Sequence, residues 1–164
     1  MIPMSRLVFG FALAVFAMHG AYAADQDDVY FEGVLGFKGE TRAKPQFLGG
    51  LLIGYCPVDS LGFGIGLDQT LSLTQDNSVQ SSTQTYGEGR WFLEPVEIAA
   101  GLGLQRQVNF AGDSDISPFL IGAVNYLIAV GPSLALKVEF RAQLSIDEKS
   151  SFDVLGGLGA RFLY

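Results

Sequence analysis

The sequence predicts an all-β chain: an eight-stranded, antiparallel, up-and-down transmembrane β-barrel, preceded by a cleavable signal peptide. Three observations carry this. Eight segments follow one another with period-two alternation of apolar and polar residues and no helical interval between them. The connectors alternate between tight Pro-bearing turns and mostly longer polar stretches. The N-terminus has the composition of an export leader rather than of a folded segment.

The leader comes first. Arg6 gives a positive start, LVFGFALAVFAMHG (7–20) is a short apolar run, and Ala21-Tyr22-Ala23 is a small-residue cleavage site. Cleavage is expected after Ala23, leaving residues 24–164 as one barrel domain; the run is too short and wrongly flanked for a membrane helix. No cysteine stands at the cleavage site, so no lipoprotein anchor is expected. The only His (His19) and all three Met leave with the leader.

The strands are expected at about 29–39, 45–56, 61–74, 83–94, 96–109, 117–130, 133–146 and 152–164, the length needed by tilted strands that cross a bilayer in about nine to eleven residues. The first carries Glu32 and Lys38 on one parity and Phe31 and Phe37 on the other. The second and third bring Phe47, Tyr55 and Phe63 against Gly50, Gly54, Gly62, Gly64, Gly66 and Asp68. The fourth, within YGEGRWFLEP (86–95), sets Glu88 and Arg90 opposite Trp91, and the fifth sets Glu97, Gly101, Gly103, Gln105 and Gln107 opposite an apolar row. The sixth, FLIGAVNYLIAV, alternates weakly, with Asn125 as its one inner marker. The seventh, LALKVEFRAQLSI, alternates cleanly around Lys137, Glu139, Arg141 and Gln143. The eighth places Asp153, Gly157, Gly159 and Arg161 opposite Leu158, Ala160, Phe162 and Tyr164.

The turns after strands two, four and six are CPVDS, EPV and VGPS; the other side has ETRAK, QDNSVQSS, AGDSDIS and DEKSS. That asymmetry belongs to membrane barrels and places both termini on the short-turn, periplasmic side. Cys56 falls in the first short turn, as an unpaired thiol.

Alternation alone suits either a soluble barrel with an apolar lumen or a membrane barrel with a polar one. Sorting by height separates them. Phe31, Tyr55, Phe63, Trp91, Phe162 and Tyr164 gather near the periplasmic ends, and Phe37, Phe47, Phe110 and Phe152 near the outer ends, as two aromatic girdles. The opposite parity holds charges of both signs in near balance, as a narrow lumen filled by side chains requires. An ion-pair network is expected among Glu32, Glu88, Arg90, Glu97, Lys137, Glu139, Arg141 and Arg161, with Glu32–Arg161 at the closing seam. Arg106 is on the outward parity, either reaching for anionic headgroups or turned inward by a bulge.

The C-terminal LGARFLY, the repeated G-x-G strands and the YGEGRWFLEP hairpin carry a resemblance that covers residues 24–164. The chain resembles the small eight-stranded outer-membrane barrels of Gram-negative bacteria, the superfamily of the OmpA membrane domain, OmpX and OmpW. The resemblance implies an outer-membrane location, contact with lipid and lipopolysaccharide, and delivery by the barrel assembly machinery, with Leu158, Ala160, Phe162 and Tyr164 as the assembly signal.

Composition narrows function. With seventeen Asp/Glu against ten Lys/Arg, nucleic acid is not an expected partner. Without His after residue 23, no Ser-His-acid arrangement can form, and soft-metal sites lack ligands. No enzyme, cofactor or metal site is expected; Asp113 and Asp115 in AGDSD read as a solvated loop. The expected role is structural, in envelope integrity, by a monomer. The alternatives are a narrow, porin-like channel for small solutes or hydrophobic ligands of the OmpW kind, and a surface adhesion or recognition protein.

Overall fold

The computed structural model describes residues 27–40, 46–73, 79–108, 114–146 and 151–164. The leader and its cleavage site lie outside the described residues. Eight strands form a closed barrel in sequence order: β1 (Val29–Glu40), β2 (Gln46–Val58), β3 (Leu61–Leu73), β4 (Val79–Leu93), β5 (Val96–Val108), β6 (Ser114–Gly131), β7 (Leu134–Ser145) and β8 (Phe152–Leu163). Every neighbour pair is antiparallel, and β8 closes on β1 with Arg161 opposite Glu32. Closure gives every strand a partner on both sides, the condition for placing backbone amides in hydrocarbon.

Alternation sets the register, because slipping one residue would turn each strand inside out. Leu51, Ile65, Leu102 and Leu158 are 67–71% exposed, while Arg90 and Arg161 are at most 1% exposed. A water-soluble domain has the opposite arrangement; a continuous apolar exterior of this extent is stable against lipid. The register shifts only beside two of the tight turns, between Tyr55 and Val58 and between Ala129 and Gly131. Asp27 anchors the start of β1: its amide donates to the Cys56 carbonyl at 2.7 Å, and its carboxylate accepts from the Tyr55 hydroxyl at 2.5 Å.

Two strands begin earlier than expected, β4 at Val79 and β6 at Ser114. The added residues, VQSS and SDIS, are mostly polar and read as loop, but a ladder extending beyond the lipid requires no apolar face. Pro118 sits inside β6, and its carbonyl accepts from Ile146 at 2.8 Å. Cys56 is also placed differently from expectation. It lies within β2, points into the barrel and is fully buried beside Tyr30 and Leu52. It shares the parity of Gly54 and Leu52, so the strand simply runs past the residues that looked like a turn. A bulky, membrane-impermeant maleimide is therefore expected to label Cys56 only after urea unfolding; rapid labelling of the folded barrel counts against this placement.

Candidate functional site

Strand parity delivers charge to the lumen from five strands at once. β1 contributes Glu32, β4 Glu88 and Arg90, β5 Glu97, β7 Lys137, Glu139 and Arg141, and β8 Arg161, all at most 6% exposed. Glu32 is the hub. It pairs with Arg90 at 2.5 Å, with Lys137 at 2.6 Å and with Arg161. Glu97 lies against Arg90 at 3.1 Å, binds Arg161, and accepts a hydrogen bond from the Asn125 amide at 2.6 Å. Glu88 pairs with Arg90. Glu139 continues the chain upward, 2.6 Å from Lys137 and 2.7 Å from Arg141. The structure thus brings all eight expected residues into one connected cluster.

Asp68 belongs to the same cluster, although its role there was not anticipated. Its carboxylate binds Arg141 and accepts from the Tyr86 hydroxyl at 3.2 Å, and Arg141 in turn donates to that hydroxyl at 3.0 Å. Asp68 shares the inward parity of β3, and the long Arg141 side chain reaches it from β7.

The lumen is also aromatic, which the charge pattern concealed. The Arg90 and Arg161 guanidinium carbons lie 5.3 and 5.1 Å from the Tyr30 ring centre, and Arg161 lies 5.4 Å from that of Phe92. Arg141 stacks at 4.9 Å on Tyr86, which meets Phe119 edge-on. Such contacts stabilise cations whose hydration shell has been removed. The inward glycines accommodate these rings. A Cβ on Gly54 would lie 2.0 Å from Tyr30, and one on Gly66 2.2 Å from Tyr86. The missed signal was parity itself: Tyr30, Tyr86 and Phe92 each stand two residues from a lumen charge on the same strand.

Above the charges, Gln84 and Gln143 both donate to Gln105 Oε1 at 2.9 Å. Higher still, Lys38 pairs with Asp153 at 2.8 Å at the edge of a polar cup of about 190 Å³ that Thr70, Gln105 and Gln107 help to line. Among the described residues six buried carboxylates face five buried cations. Removing one partner from such a set is strongly destabilising, because the remaining charge stays buried.

Outside, Phe31, Tyr55, Phe63, Trp91, Phe162 and Tyr164 are 43–80% exposed. Phe31 pairs across the seam with Phe162 and meets Tyr164 edge-on at 5.8 Å. Near the outer ends, Phe37 and Phe47 meet edge-on at 6.0 Å. Phe110 and Asp113 lie outside the described residues; Asp115 is exposed. Arg106 faces outward on a ladder that runs without a bulge along both of its neighbours. Of its two expected placements, the structure has the outward one.

No family model matches the chain, and no curated protein does. Solved structures do. Neisserial surface protein A superposes with a TM-score of 0.65 at 15% identity, over 82% of this chain and 95% of that one. The N-terminal β-barrel domain of Pseudomonas aeruginosa OprF gives 0.54 at 16% identity, over 86% and 100%. The outer membrane protein OprG of the same species gives 0.56 at 10% identity, over 88% and 99%. At these identities the likeness is one of fold.

Proposed function

We infer that this chain, which has the fold of the small eight-stranded outer-membrane barrels, is a closed outer-membrane barrel with a structural role in the cell envelope and no catalytic one. The carrying observation is the connected ion-pair cluster, which draws on β1, β3, β4, β5, β7 and β8. An eight-stranded lumen is just wide enough for side chains to fill, and here paired charges and aromatic rings fill it. In planar bilayers the refolded wild-type barrel is expected to give no single-channel steps. Reproducible openings whose amplitude rises in R161A or E139A would overturn the closed reading.

A second reading is favoured by one observation, the polar cup above the cluster. A narrow conduit for small solutes would begin there, and the same recording distinguishes the two. The middle of each outer connector (41–45, 74–78, 109–113 and 147–150), on which an adhesion role would rest, lies outside the described residues.

Biogenesis is part of the proposal. Leu158, Phe162 and Tyr164 are 47–80% exposed and Ala160 shares their face; this row serves as the recognition strand for the assembly machinery. Export removes residues 1–23. Mass spectrometry of the envelope-located protein is expected to show a chain beginning at Ala24, and an intact Met1 would count against it. The barrel works as a monomer among lipid and lipopolysaccharide.

A further inference from the structure

One feature of the wall is foreign to a lipid-facing surface. On one hydrogen-bond rung of the exterior, Gln69 of β3, Thr83 of β4 and Arg106 of β5 stand side by side, all exposed. Among the described residues, Arg106 is the cation that forms no ion pair; the other five are all paired inside the lumen. The same rung continues through Gly49 and Leu35 to Leu158. Along it runs an apolar groove of about 770 Å³, walled by Leu51, Leu67 and Leu158, floored by Gly33 and Gly49, and ending at Thr83 beside Arg106.

The rung is not level. β8 ends at Leu163 and β5 begins at Val96, so Leu158 stands five residues above the periplasmic end and Arg106 ten. At ~3.3 Å per residue and a tilt of ~40°, Arg106 lies about 12 Å higher than Leu158, at about 25 Å, the upper border of an apolar band ~25 Å tall. An open groove whose upper end, at Gln69 and Thr83, lies beside a cation in the headgroup zone, and which descends over small, apolar residues, suits the shape and polarity of a lipid.

We propose that this wall binds one acyl lipid of the outer leaflet through an anionic phosphate headgroup. Arg106 meets the phosphate charge, the Thr83 hydroxyl and Gln69 amide donate to its oxygens, and an acyl chain lies down the groove over Gly49 and Gly33 toward Leu158. The proposal rests on the membrane-barrel reading and extends it to a site outside the lumen.

The test uses native mass spectrometry of the refolded full-length mature barrel, in neutral detergent, with equimolar phosphatidylglycerol and phosphatidylcholine of identical acyl chains. The wild type is expected to retain the anionic lipid over the zwitterionic one about tenfold. R106Q should bring that ratio to near one, and R106K should keep part of the preference. Gly49→Leu should lower retention of both lipids, because a Cβ there meets only ordinary contact with Leu35 at 3.6 Å and the rest of the side chain would project into the groove. No preference in the wild type, or a preference unchanged in R106Q, overturns the proposal. So does a lipid-indifferent dimer that Gly49→Leu disperses, since a second copy would then occupy the groove. Heat-modifiable gel migration of each variant reports the barrel separately. Conductance reports the lumen, which Arg106 does not enter, so failure of the lipid site and failure of the closed-lumen reading give different results.

Discussion

Glu32→Ala is expected to destabilise the folded barrel by about 3–5 kcal/mol, the range for removing one partner from a buried ion pair. Glu32 is 4% exposed and pairs with Arg90, Lys137 and Arg161 together. Alanine leaves Lys137 with Glu139 and Arg90 with Glu88, while Arg161 shares Glu97 with Arg90. Urea unfolding in lipid vesicles, followed by Trp91 fluorescence and by heat-modifiable migration, measures the loss. Glu32→Gln keeps the shape and some hydrogen bonding, and should fall between alanine and wild type. An E32A midpoint within about 0.5 kcal/mol of wild type, the range of an ordinary surface substitution, would show that the cluster is solvated and that water fills what the ion pairs are said to fill.

Gly54→Leu should have a smaller but still large effect from a different cause. The added Cβ would stand 2.0 Å from the Tyr30 ring, which is itself fully buried and also lies against the Arg90 and Arg161 guanidinium groups. Overpacking of a filled interior costs about 1–3 kcal/mol, and occasionally more. The double variant Y30A/G54L restores the space, so it should be more stable than G54L alone. The double-mutant cycle isolates the contact. Simple additivity of the two losses would mean that ring and glycine do not share one space.

Much of this fold was legible because it depends on parity and length. The alternation in Leu134–Ser145 determines which side chains enter the barrel whichever face meets water. The charges on that parity had to find partners, which made Glu32 and Arg161 foreseeable. Other parts were not legible. Cys56 looked like turn because Pro57 follows it, yet the ladder continues to Val58. Asp68 needed the reach of Arg141 from β7, a property of the closed barrel that no single strand encodes. The groove depends on Gly49, Leu51, Leu67 and Leu158 from four strands coming together, and that proximity exists only once the sheet has curled.

The seam between β1 and β8 is where the two ends of the chain meet. Glu32 enters on the first strand to be made and Arg161 on the last, with almost the whole domain between them. Glu32 also holds Arg90 and Lys137, and Arg161 also holds Glu97, so the seam pair joins the two ends of the chain to one cluster. Closing the ring thus completes the backbone ladder and the charge network of the lumen at the same place.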